Sequence, residues 1–455
     1  MLLSGCAAVD PSPDYEHARA LVSNATGSSE VYMPNLPAER EGALESTRNG
    51  LTRADAVSAA LKNNKKVQSL MYELGVSRAD VVQADLLSNP SLDGVFRFSA
   101  GGGGSTIEGG LLQSVLGAFQ RPIRQRMAKA QLEKKIMEVA FAAAGVAAEA
   151  STAYLNALVA NRAKAVAIEN AKTARELWSV VNERLSVGIG TQLDINTAEA
   201  EAVEQDLFRE QAELNADLAA FALAEVMGVE EWRGLLSINL GTARPPEVPH
   251  QLGVVLKLAE KNRLDYRARK VQVDLAKQKL RLEKRKVLRE LSIGASVETA
   301  DEGTEVGPAF DLEIPLFDQN QAQIAKAEYR LSQALAELDA QRLVLRKEVR
   351  VAMARHRAAR RSVDLSEKKL LPLRAESLAL AREAFSEGKT NLLFVLEAQR
   401  QLLESRMEYL SRLSDYLFSI GEIEKAVGLS VCAIVSQSSS GACDADTPME
   451  SVKLN

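Results

Sequence analysis

Aromatic residues fill only 5% of the 455 positions, as two Trp, eight Tyr and eleven Phe. So low a content argues against a mainly β protein and suits helices rich in Ala, Leu, Glu, Lys and Arg. Histidine occurs three times, as His17, His250 and His356, far apart and at no metal-ligand spacing. No glycine loop precedes a Lys and a Ser or Thr, and Gly101 to Gly104 lacks both the lysine and a buried strand before it. No nucleophile elbow occurs. Metal, nucleotide and acyl-enzyme chemistry therefore lack their residues, and the plentiful carboxylates read as solvated helix faces. An excess of positive charge is missing too. The net charge is −5 and the pI is near 5.6, which leaves no footprint for nucleic acid. The basic stretch from Arg346 to Arg361 reads as a solvated face. No run of about 18 apolar residues is evident, the length a membrane helix needs. Val139 to Ala148 comes nearest and is closed by Glu149; its alanines suit a close contact between helices.

Cysteine is scarce as well, with three residues. Cys6 ends the tetrapeptide Leu3-Ser4-Gly5-Cys6, which resembles a bacterial lipobox without its charged n-region. Lipid on Cys6 would tether the chain to a membrane leaflet. Ala7 after it leans toward the outer membrane. Cys432 and Cys443 are close enough in sequence to form one disulfide in an oxidising periplasm or to remain two thiols.

What is present is a repeat. Gly188 and Gly388 stand 200 positions apart (388 − 188), as do Gly228 and Gly428 (428 − 228). Each first glycine lies in a turn between long helical stretches, and an aliphatic pair follows it: Leu193 and Ile195, then Leu393 and Val395. Lys62-Asn63 pairs with Lys261-Asn262, and Ala128-Lys129-Ala130 with Ala325-Lys326-Ala327. Four markers in one order imply one structural half used twice.

Residues 1–50 read as a truncated signal remnant and an extended leader, on the strength of Pro11, Pro13, Pro34 and Pro37. The first copy spans 51–244. Thr52 with Asp55 forms a capping-box start, and the helix breaks near Asn63-Asn64 and stops at Asn89-Pro90. Leu92, Gly94, Phe96 and Phe98 then alternate with Ser91, Asp93, Val95 and Arg97, so strands are expected over about 91–117. A long helical hairpin follows over about 122–228. Leu132, Ile136, Val139, Ala143, Val146 and Ala150 form a heptad seam on it. Three prolines, Pro245, Pro246 and Pro249, lead into the second copy, 245–428. It opens with a helix from about Leu252 to Arg289. Strands follow over about 290–317, where Phe310, Leu312, Ile314 and Leu316 alternate with polar residues. Its helical hairpin covers about 319–428 and should kink at Pro372. Residues 429–455 read as a flexible tail.

The expected fold is mainly α with a small β part. Two strand pairs, each with an apolar and a polar face, cannot close a barrel alone. An open sheet edge is forbidden in a bilayer, so several chains must pool their strands. Asp93, Arg97, Asp311 and Glu313 would then line the wet side. The rival reading is a periplasmic coiled-coil scaffold or adaptor with no channel.

The lipobox, the doubled helix–strands–hairpin plan, the run "IPLFDQNQAQIAKAE" from Ile314 to Glu328 and the run "EGKTNLLFVLEAQ" from Glu387 to Gln399 resemble the TolC-like outer-membrane efflux proteins over roughly residues 50–428. The resemblance implies a homotrimer. Its twelve-stranded barrel would sit in the outer membrane on a long periplasmic α-barrel, as the passive exit duct of a tripartite efflux system. The partners would be a periplasmic adaptor, an inner-membrane transporter and outer-membrane lipid, with no cofactor and no catalysis. Val187, Gly188, Ile189, Gly190 and Thr191, with Gly388, Lys389 and Thr390, match the tips that meet the adaptor. Asp194, Glu397 and Phe394 are the candidate pore gate, with Phe394 in the slot that Asp194 fills in the first copy. Asp194 also reads as a first-turn acid favoured by the helix dipole. The "PLFDQNQ" run is similar to the metal-cation branch of the family.

Overall fold

The computed structural model describes residues 8–34, 50–98, 105–230, 251–287, 291–300 and 303–438. Cys6 and Cys443 lie outside them, and with Cys443 the disulfide reading. Two compact units divide the chain. One gathers residues 1–18, 71–140 and 264–344; the other gathers 19–70, 141–263 and 345–455. Each therefore draws on both copies.

The leader is not wholly extended. Helix α1 spans Ser12–Thr26. Pro13, read as a breaker, is the second residue of this helix, where proline's fixed φ and missing N–H fit the first turn. Asp14 is buried and takes two hydrogen bonds from Arg78, at 2.6 and 2.5 Å.

The first copy continues with α2 (Arg53–Asn63), α3 (Lys65–Asp85), β1 (Ser91–Arg97), β2 (Thr106–Ser114), α4 (Leu116–Ser186) and α5 (Gln192–Met227). Thr52 caps α2 through the expected box with Asp55. Helix α4 runs 71 residues and starts earlier than expected, so Pro122 lies inside it. One 18-residue stretch of α4 is apolar enough by composition to cross a membrane, contrary to the reading above; 56% of it is buried within the protein. Its alanines close helix contacts, as Ala140, Ala143, Ala147 and Ala150 do.

The second copy runs α6 (Leu252–Asn262), α7 (Leu264–Arg285), β3 (Leu291–Ala300), β4 (Gly303–Leu312), α8 (Gln321–Leu365), a π-helical turn (Ser366–Leu370), α9 (Leu371–Ser386) and α10 (Leu392–Val427). The single helix expected from Leu252 breaks at Arg263, matching the break at Asn64 in the first copy. Strand β4 stops at Leu312, short of Ile314 and Leu316. The hairpin does deform at Pro372. Its ring would strike the carbonyl four residues back, and the turn before it widens so that the Leu371 N–H reaches the Ser366 carbonyl. The tail is not wholly flexible either. Val431–Ser438 forms α11, with Leu429, Val431 and Ile434 buried.

Both returning helices end alike. Gly228 and Gly428 take left-handed φ of 68° and 76°. A Cβ on Gly228 would lie 2.9 Å from the Asn63 carbonyl carbon and oxygen; one on Gly428 would lie 3.0 Å from Arg263 Cα. Each glycine cap thus seats against the helix break of its own copy. The core beside the first cap joins Leu51, Ala56 and Ala59 to Tyr154, Leu155, Leu223 and Met227.

Candidate functional site: the two-faced sheet and the helical tips

The two strand pairs form one four-stranded antiparallel sheet, in the order β1-β2-β3-β4. Its centre is the β2–β3 pairing, with Leu111 opposite Ala295 and Gly109 opposite Val297. Alternation along a strand sends neighbouring side chains to opposite faces. Leu92, Phe96, Ile107, Leu111, Ile293, Val297, Val306 and Phe310 share one face across the registers. Leu92 is 82% exposed and Phe310 79%. Asp93, Arg97, Glu108, Glu298, Glu305 and Asp311 share the other. Glu313, expected among them, falls one residue past β4.

The registers create a feature that no single strand displays. Glu108 stands opposite Glu298, and Glu298 opposite Glu305. Like charges facing each other across strands destabilise a sheet. Arg97 pairs with Glu108 at one end of this row.

The tips are built by backbone conformation. Gly188, Gly190 and Gly388 have φ of 84°, 122° and 74°, which L side chains avoid. A Cβ on Gly188 or Gly388 would meet nothing within 4 Å, so conformation and not space selects glycine there. Val187, Ile189, Leu193, Leu393 and Phe394 are exposed around the turns. Below them Val181, Ile195 and Ala198 pack with Leu392 and Leu396, which brings the two tips together. Arg184 adds a bond from Nη1 to the Phe385 carbonyl at 3.1 Å and lies 4.4 Å over the Phe385 ring. Sequence reading missed this pair; its residues flag nothing until the two hairpins are adjacent.

The three gate candidates have local surroundings. Asp194 Oδ2 accepts from the Thr191 N–H and hydroxyl, both at 2.8 Å, and Thr191 Oγ1 accepts from the Asp194 N–H. Glu397 accepts from Arg400 at 2.6 Å and Gln401 at 2.7 Å. Phe394 is exposed at the third residue of α10, whose N-cap Asn391 makes no side-chain cap bond.

The "PLFDQNQ" run also acquires a structural reason. Asn320 sits at φ 63° and donates from Nδ2 to the Glu283 carbonyl at 2.7 Å and to Glu283 Oε2 at 3.0 Å. Burial pushes the Glu283 carboxyl up, but the Asn320 bond and the Lys279 and Lys286 ammonium groups outweigh it and hold it at about 2. These bonds lock the connection from β4 into α8. Among the described residues no group of three or more His, Cys, Asp or Glu is arranged to hold a metal ion.

A sheet with one apolar and one charged face, in a chain of paired helical hairpins, is the pattern of an outer-membrane channel protomer. The family model for "Outer membrane efflux protein" matches residues 255–429. The chain is 24% identical to the cobalt-zinc-cadmium resistance protein CzcC of Cupriavidus metallidurans, over 93% of this chain and 98% of that one. Its fold resembles a membrane protein from Pseudomonas aeruginosa, with a TM-score of 0.69 and 19% identity over 87% of this chain and 98% of the other. It also resembles the Campylobacter jejuni CmeC outer membrane channel, with a TM-score of 0.68 and 17% identity over 83% and 85%. Residues 255–429 thus match the outer-membrane efflux proteins, the fold of the chain is that of TolC-like outer-membrane channels, and together these support an outer-membrane exit duct of an efflux pump. The family consists of channels and not enzymes, and its members assemble as trimers in tripartite pumps.

Proposed function

We propose that three copies close a twelve-stranded duct (three times four strands) that passes metal cations from the periplasm to the outside. The supporting observation is the charged face of the sheet. It holds five acids, Asp93, Glu108, Glu298, Glu305 and Asp311, against one cation, Arg97. Facing a water-filled lumen, that balance attracts cations and repels anions. The apolar face then meets lipid, and the free edges of β1 and β4 pair with neighbouring copies, which removes the open edges that a bilayer forbids. The name of the CzcC relative supports a cation cargo such as cobalt, zinc or cadmium. The halves 51–244 and 245–428 act as two equivalent staves per copy.

In this reading the exposed apolar residues at the tips, Val187, Ile189 and Leu393, meet a periplasmic adaptor, and an inner-membrane transporter supplies the energy. A second apolar stripe supports assembly. Val203, Leu207, Leu214, Leu218 and Phe221 are exposed along α5 at spacings of three, four and seven, as a helix–helix seam requires. Asp194, Glu397 and Phe394 narrow the closed tip. Lipid on Cys6 anchors the leader.

Reversal potentials in planar bilayers test the cargo class. The duct should favour potassium over chloride, and Glu298→Gln with Glu305→Gln should lower that ratio several-fold. An unchanged ratio removes the cation reading. For the cargo itself, a deletion strain should lose cobalt, zinc or cadmium tolerance; sensitivity confined to organic drugs would overturn the metal assignment.

A further inference from the structure

The protein is acidic overall, at −5, yet three of the four helices joined to one end of the sheet carry a basic excess there, while α3 ends on Asp80 and Asp85. Helix α4 follows β2 directly, and from Leu116 to Leu132 it carries Arg121, Arg124, Arg126 and Lys129 and no acid. Between Lys277 and Lys286, at the end of α7 and just before β3, six cations meet a single acid, Glu283. Helix α8, after β4, adds Lys326 and Arg330. All of these lie in the same compact unit as the sheet.

Part of this charge is already matched. Arg121 pairs with Asp85, Lys284 with Glu328, and Lys279 and Lys286 with Glu283. Arg126, Arg281, Arg285, Lys326 and Arg330 are exposed and form no ion pair among the described residues. Exposed aromatic rings stand in the same band. Phe119 precedes Arg121 and is 71% exposed, Phe317 is 92% exposed, and Tyr329 beside Arg330 is 78% exposed. Aromatic rings with cations next to an apolar strand face are the composition of a membrane–water boundary, where rings sit at headgroup level and cations meet phosphate.

We propose that this collar binds the phosphodiester headgroups of anionic phospholipids in the leaflet on the periplasmic side. Charge complementarity and continuity with the apolar strand face argue for lipid as the occupant. The inference rests on that face lying in lipid, as proposed above. The guanidinium groups of Arg281 and Arg285 present planar donors to phosphate oxygens, which suits them to hold a headgroup in place. Their position next to the sheet would fix its depth in the membrane.

Native mass spectrometry of the full-length protein tests the collar. The protein is offered phosphatidylglycerol or phosphatidylcholine with identical acyl chains. Retention of phosphatidylglycerol should exceed that of phosphatidylcholine by about thirtyfold, the order expected from two basic residues near an anionic surface. Arg281→Gln with Arg285→Gln should remove most of that preference, and Lys326→Gln with Arg330→Gln should lower it independently. Lys172→Gln, on the part of α4 in the other unit, should leave it unchanged. Equal retention of both lipids, or a preference that survives in both double variants, would overturn the collar. Failure to retain either lipid would instead overturn the placement of the apolar face in the membrane. Displacement of the lipid by millimolar inorganic phosphate would assign the cations to a free anion and also sink the proposal.

Discussion

The two copies agree where they fold and differ where they turn. Gly228 and Gly428 occupy equivalent caps, each against an equivalent helix break at Asn64 and Arg263. At the tips the likeness is confined to the turn glycines, Gly188 and Gly388. The first turn is closed by a reciprocal capping box between Thr191 and Asp194. The second has Asn391 with no side-chain cap bond and Phe394 in the place of the acid. Positions fixed by backbone conformation and close approach have kept their residue, because only glycine fits them. Positions on the exposed turns have diverged, because their local hydrogen bonds contribute only about 1 kcal/mol and other contacts can replace them.

The caps offer the largest way to break the comparison. Gly228→Ala should cost about 2–4 kcal/mol, from a left-handed alanine and a Cβ driven into the Asn63 carbonyl. Gly428→Ala should cost somewhat less, since its nearest atom is Cα of Arg263 at 3.0 Å. Thermal denaturation of the detergent-solubilised protein measures both, and equal stability to the parent chain would show that the caps are not seated as described. Next come the tips. Asp194→Ala removes the capping carboxylate and should cost about 1 kcal/mol, while Phe394→Asp should install a comparable cap in the second copy. Hydrogen exchange at the two turns reads the exchange of roles; a slower-exchanging first turn in Asp194→Ala would refute the capping account.

The same two residues decide the gate. If Asp194 and Glu397 constrict the pore, Asp194→Asn and Glu397→Gln should each change single-channel conductance. Unchanged conductance in both would leave them as helix-end residues bound to Thr191 and Arg400. A smaller effect is expected at Glu283, whose first-copy counterpart by position, Asp85, pairs with Arg121 instead of an asparagine. The Glu283 carboxyl is held at about 2 against an ordinary value of 4.5. A depressed folded value means that the stabilisation is complete above 4.5 and is lost as the pH falls toward 2. Acid unfolding should therefore soften in Glu283→Gln between those limits, and an acid profile identical to the parent would remove this lock.

The sequence was legible wherever the deciding interaction is local. The Thr52–Asp55 box, the glycine turns, the strand alternation and the duplicated order all depend on neighbours a few residues away. It misled where one residue type serves two purposes. Pro13 starts α1 although it resembles a breaker, and the break at Arg263 has no glycine or proline to announce it. The facing row of Glu108, Glu298 and Glu305 was out of reach for another reason. Its members lie on three strands and meet only through register.

By itself, then, the chain's own order of residues settled the helices, their turns, the strand faces and the use of one plan twice, because helix and strand periodicities and backbone preferences act over short distances. The tertiary structure alone decided that the two strand pairs share a single sheet, that both tips pack against each other through Leu392 and Arg184, and that three glutamates align. Apart from the Glu298–Glu305 pairing within one hairpin, those are contacts between segments about 200 residues apart in sequence. They follow from which apolar surfaces bury one another, and no local pattern encodes that choice.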